Sequence, residues 1–203
     1  MKLKRDFLWI VLFGTLIGLN ETLLGGMHLP NKSIILSIIT VLLLSMGRYL
    51  FPKIGVSLLM IAVASLYKIT DLGLAGCKLE GMVMLGVAFE VFATLLIRKT
   101  TTKFYFFALV SFLAALSTFL VFALMQRYVF NNEYWFGPKF VEHIFIKGPI
   151  TAVSGALISY LGVMTIKPLI AWYNGVMNQK PYIIQSIIGM FIIGFWFLGY
   201  FTA

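Results

Sequence analysis

Apolar residues run along this chain in blocks of roughly 17–25, long enough to cross the ~30 Å hydrocarbon core of a bilayer as helices rising 1.5 Å per residue. Short polar breaks close each block. The pattern predicts seven membrane-spanning helices, over 7–27, 33–51, 54–70, 80–97, 104–128, 149–166 and 182–202. The breaks carry ordinary turn and interface signals: "HLPNK", "GRYLFPK", "RKTTTK" and "NNEYWFGPK". The third block is short, and "KITDLGLAGCKLEG" after it is too polar to lie in lipid. That stretch and 131–147 are the two substantial polar connections. Neither has room for an independent domain, and no internal repeat is evident. The expectation is an all-α, polytopic transmembrane bundle of six to seven spans, forming one domain over 1–203.

Composition agrees with that class. The chain is 61% hydrophobic and 11% charged, with a mean hydropathy of +0.98, more apolar than a soluble core of this size requires. The single cysteine, Cys77, rules out an intramolecular disulfide framework. "MKLKRDFLWIVLFG" passes into the first span without a small-residue cleavage site. The formal charge of +9 invites a nucleic-acid reading. In so apolar a chain, basic excess belongs at cytoplasmic helix ends, so no nucleic-acid partner is expected. With the N-terminus inside, ten of the 16 Lys and Arg residues fall at inner helix ends, among them Lys2, Lys4, Arg5, Arg48, Lys53, Arg98 and Lys99. This bias orients the chain N-in in the cell membrane.

The first span holds polar residues where lipid favours Leu and Ile. Gly14, Gly18, Glu21, Gly25 and His28 are spaced by 4, 3, 4 and 3, which stacks them on one helical face. The stripe is small at its inner end, where a second helix can approach closely, and polar at its outer end. Ionisable groups at membrane depth are costly and mark sites or pairs. Lys68 ends the third span on the same predicted side as Glu21, and Glu90 lies near mid-depth in the fourth. Glu21, Lys68 and Glu90 are therefore the leading candidates for ligand contact, with Asn20 and His28 behind them. Each also has a plainer reading. Glu21 and Lys68 can neutralise one another as a strut, Lys68 can snorkel, and His28 can be a solvated helix end. The connections 71–80 and 131–147 would border the mouth of an outer cavity.

Signatures of chemistry are sparse. The chain has no HExxH, GxSxG, Gly-rich GK[ST] loop or paired-aspartate motif, so no catalytic residue is assigned. No resident cofactor or metal is expected, and ATP would be used only by partner subunits. Two rival readings stay open. One is an intramembrane enzyme acting on a lipid, or using a metal at Glu21, His28 and His143. The other is a structural subunit of a larger membrane complex.

Two stretches resemble a known family: "FPKIGVSLLMIAVASLYKI" (51–69) and "KGPITAVSGALISYLGVMTIKPL" (147–169). They are similar to the third and sixth helices of the substrate-binding (S) components of energy-coupling-factor transporters. The likeness covers roughly 1–169. It implies a six-helix core that captures a vitamin-like micronutrient outside the cell and works with a scaffold subunit and cytoplasmic ATPases. It also implies that the small-xxx-small pair Gly14 and Gly18 docks the scaffold. The chain departs from that pattern in 170–203, a linker and an additional C-terminal helix. It also lacks the "MH" start of the family's nickel and cobalt members.

Overall fold

The computed structural model describes residues 2–27, 30–69, 75–97, 103–179 and 181–202; for 2–5, 68–69, 75–78, 167, 169–179, 181–183 and 200–202 it describes the backbone alone. The fold is an all-α bundle, and the described residues contain no strand. Its helices are α1 (Lys2–Gly26), α2 (Lys32–Leu50), α3 (Val56–Ile69), α4 (Ala75–Leu96), α5 (Phe104–Leu124), α6 (Pro138–Glu142), α7 (Gly148–Gln179) and α8 (Pro181–Thr202). Among the described residues, five stretches are long and apolar enough to cross a membrane: Asp6–Gly26, Lys32–Leu50, Leu79–Leu96, Phe104–Val129 and Pro138–Ile166. The chain is a helical membrane protein.

Most of the helices that the apolar blocks predict are present, with three instructive differences. The third is only 14 residues, ~21 Å at 1.5 Å per residue, because the chain first turns through Phe51–Gly55. Gly55 sits there at φ 89°, a conformation that glycine adopts without a Cβ penalty. At the other end of the bundle the connection 131–147 is largely helical. A 3-10 turn (Glu133–Trp135) precedes α6, and α6 then runs through a π-helical turn (His143–Lys147) into α7. Pro138 opens α6 directly after Gly137, whose φ is 116°; proline at this position forfeits no helical hydrogen bond. Finally, α7 does not stop at 166. It continues through Pro168 to Gln179, as membrane helices tolerate proline where neighbours re-satisfy the backbone.

Six helices form a ring in the order α1, α3, α4, α5, α7, α2, and α8 packs outside it against α1. Lys53 reaches Asp6 at 3.3 Å, so the start of α1 and the α2–α3 turn share one end of the bundle. The α1–α2 turn, the start of α4, the end of α5 and the α6–α7 junction lie at the other.

Small residues set the spacing. A Cβ on Gly14 would stand 2.6 Å from the Met60 carbonyl oxygen and 2.7 Å from Val63, and one on Gly18 would stand 2.7 Å from Tyr67. α1 and α3 thus touch backbone to backbone, as apolar-solvent helices do where dispersion replaces the hydrophobic drive. The serines of α2, α5 and α7 join the opposite side: Ser45 and Ser111 are 3.0 Å apart, and the Ser111 hydroxyl donates to Ser159 Oγ at 2.8 Å. α8 is held by the Tyr67 hydroxyl, which donates to the Phe195 carbonyl, and by Trp196 Nε1, which donates to Thr15 Oγ1 at 3.2 Å.

Candidate functional site

Two polar places stand out, one at each end. At the end of the α2–α3 turn, Glu90 of α4 is buried, at 5% exposure, beside Arg48, at 4%. Its carboxylate accepts from the Gly55 backbone N–H at 2.7 Å and from the Ser57 backbone N–H at 3.1 Å. Thr94 Oγ1 lies 3.4 Å away and Arg48 Nη2 3.6 Å away. Glu90 therefore caps α3. The first turn of a helix carries unpaired N–H groups and a partial positive charge, and a carboxylate satisfies both. Its distance from the polar end of α1 follows from chain direction, since α4 has run most of its length by residue 90.

At the opposite end lies a cavity of about 200 Å³. α1 contributes Glu21; α2 contributes Ser33, Leu36 and Ser37; α4 contributes Gly81, Met82 and Leu85; α5 contributes Thr118, Phe119 and Phe122; and His143 closes it. α1 and α5 are not neighbours in the ring, yet Glu21, Thr118 and the two phenylalanines line the same space. Glu21 is 8% exposed and Thr118 7%. Thr118 Oγ1 is buried and makes no hydrogen bond, although a buried hydroxyl without a partner costs on the order of 1–3 kcal/mol. Such an atom at the wall of a cavity marks where a guest, water or solute, is expected to bond.

The connection 131–147 forms the roof. His143 stacks on Phe119 with ring centroids 4.6 Å apart, and Trp135 meets it edge-on at 4.8 Å. Trp135 also packs edge-on against Phe122 at 5.5 Å. A polar chain ties the roof to α4: Gln126 Nε2 donates to Glu80 Oε2 at 2.8 Å, and Asn132 Nδ2 donates to Gln126 Oε1 at 3.2 Å. The Arg127 guanidinium sits over the Phe140 ring at 4.7 Å and near Phe136 at 5.3 Å, fastening the remaining roof aromatics by cation–π attraction. α5 widens into a π-helical turn (Met125–Val129) where the roof begins; such turns recur at functional sites.

No family model, curated protein or solved structure matches this chain. Its chemistry is therefore read from geometry. Of the residues singled out from sequence, Glu21 is in the cavity wall, and His143, raised with it for metal or lipid chemistry, joins it there. Glu90 does not; it lies at the far end as a cap. Asn20 is half-buried on α1 with Nδ2 unbonded, and it does not line the cavity. His28 lies outside the described residues, and so does the side chain of Lys68. Gly14 and Gly18 face α3 of the same chain. Among the described residues no group of three or more His, Cys, Asp or Glu could hold a metal ion. Sequence reasoning missed Ser33, Ser37, Thr118, Phe119, Phe122 and Gly81. A threonine in the strongly apolar α5 was the one available hint.

Proposed function

We propose that the chain is a solute-binding subunit of the plasma membrane, similar in role to the S component of an energy-coupling-factor transporter. It would capture a small molecule from outside and deliver it inward with a scaffold and partner ATPases. The observation that carries this reading is the half-open cavity at one end of the bundle, mostly apolar and lined by a few polar residues: Glu21, Thr118 with its unbonded hydroxyl, and His143. That is the usual make-up of a small-molecule site. Basic-residue asymmetry favours an orientation in which this end faces outward. The six-helix ring with one additional helix fits the same role. On this reading the scaffold meets a surface other than the Gly14–Gly18 stripe, because α3 fills that stripe.

Affinity purification of the tagged chain from its own membrane tests the proposal. It predicts recovery of a membrane scaffold and ATPase subunits, and uptake that fails when those ATPases are inactivated. Uptake that persists without any ATPase would refute it. A second reading, intramembrane chemistry by Glu21 and His143, draws on their meeting in one cavity. It predicts turnover of a lipid by the purified chain alone.

A further inference from the structure

We infer that the end of the bundle holding the α2–α3 turn is a docking surface for the anionic headgroups of membrane phospholipids. The inference stands on the placement of charge and is independent of the cavity. By sequence position, ten basic residues and two acids, Asp6 and Glu90, belong to this end and leave +8. Six basic residues and five acids belong to the other end and leave +1, so nearly all of the formal +9 is gathered at one end. Both acids there are already engaged. Asp6 pairs with Lys53 at 3.3 Å, and Glu90 faces Arg48 at 3.6 Å while it caps α3. No acid is left over for Lys2, Lys4 and Arg5 in the first turns of α1, or for Lys103 at the start of α5.

The same end carries the marks of a headgroup boundary. Tyr49 packs against Phe104 and Phe107 with ring centroids 6.2 and 5.7 Å apart, and Phe104 meets Tyr160 edge-on at 6.4 Å. Tyr105 and Tyr160 remain exposed, and tyrosines of this kind gather where lipid meets water. The Lys103 ammonium lies 5.8 Å from the centroid of the Tyr105 ring, which holds it at the level of that belt. The Lys53 side chain is 62% exposed on the α2–α3 turn. A phosphate at this level gains cations and meets no spare carboxylate. Clusters of about 4–8 Lys and Arg beside a membrane helix bind anionic lipid in this way. Lipid fits better than an acidic protein segment, because the cations stand around the ring, at the starts of α1 and α5 and at the α2–α3 turn, and do not line one groove. The opposite end mixes its signs: Lys147 pairs with Glu142 at 3.0 Å.

Native mass spectrometry of the purified full chain tests this, in neutral detergent with phosphatidylglycerol and phosphatidylcholine of identical acyl chains in equal amounts. The expected result is about tenfold tighter retention of phosphatidylglycerol, a preference that shrinks as ammonium acetate is raised because salt screens exposed charges. Lys2→Gln, Lys4→Gln and Lys103→Gln together should remove most of the preference. Lys32→Gln, Lys139→Gln and Lys147→Gln together, at the other end, should leave it unchanged. Thermal midpoints show whether each triple variant folds, and the salt dependence of the parent keeps the test alive if one does not. Equal retention of the two lipids, a preference indifferent to salt, or equal loss in both triple variants overturns the inference. So does binding of polyglutamate by a parent that shows no lipid preference, which would assign the surface to an acidic protein segment.

Discussion

Replacing Glu90 by alanine separates a structural carboxylate from a ligand-binding one. The side chain accepts two backbone N–H groups at the start of α3, at 2.7 and 3.1 Å, and pairs with Arg48 at 3.6 Å. Hydrogen bonds to a charged group contribute about 1.5–3 kcal/mol each, and removing one member of a buried ion pair costs about 3–5 kcal/mol. These figures share atoms and do not add, so about 3–5 kcal/mol is expected for Glu90→Ala. For a chain of this size that is a drop of on the order of 10 °C in thermal midpoint, read in detergent with a thiol-independent unfolding probe. Glu90→Gln keeps one acceptor oxygen and should lose roughly half as much. Adding Arg48→Met to Glu90→Gln should restore part of the loss, because the stranded guanidinium is then gone. An unchanged midpoint in Glu90→Ala, combined with loss of solute binding, would refute the capping assignment and return Glu90 to the site.

Three further outcomes follow from the packing and the charge bias. Gly14→Ala and Gly18→Ala should each destabilise the isolated chain by about 1–3 kcal/mol, since the added methyl has no room against α3; thermal midpoints check this, and stable variants that fail only in partner assembly would contradict it. Ser111→Ala should cost about 1 kcal/mol, as hydrogen bonds within membrane bundles typically do, by stranding the hydroxyls of Ser45 and Ser159; the same melting experiment measures it. In a background lacking Cys77, a cysteine at Glu133 should react with an impermeant reagent on intact cells and one at Lys103 should not; the reverse pattern would turn the cavity to the cytoplasm.

The bundle was legible because lipid imposes a simple rule: spanning segments must be apolar, helical and of fixed length. Chain ends that deviate from the rule were not. α3 starts late because the chain first turns through Phe51–Gly55, and Glu90 caps that start through contacts between residues 35 and 33 positions apart that no local pattern announces. The helical path through 138–147 and beyond 166 was hidden by Pro138, Pro168 and polar residues that read as breaks. The candidate site was half legible. Glu21 stood out because a buried acid in a membrane helix is rare, and it lines the cavity. Glu90 carried the same signal for a different reason, since burial alone does not say whether a carboxylate meets a ligand or a backbone. Thr118, Phe119 and Phe122 look like any residues of an apolar helix until the ring of helices brings them to the same cavity as Glu21. The small stripe of α1 suggested a close-approach surface for a partner; Gly14 and Gly18 lie against α3 of the same chain, and spacing alone does not tell which helix approaches.

The central claim, that a small solute occupies the cavity, is tested most directly by filling the cavity. A Cβ on Gly81 would lie 3.8 Å from the Phe122 ring, ordinary van der Waals contact, so Gly81→Leu extends into the space without striking backbone. Native mass spectrometry is then applied to the parent and to Gly81→Leu, each extracted from its own membrane. The account predicts a small molecule retained by the parent and absent from Gly81→Leu, whose thermal midpoint equals or exceeds that of the ligand-free parent. The same molecule retained by both proteins, or none retained by the parent, would contradict it.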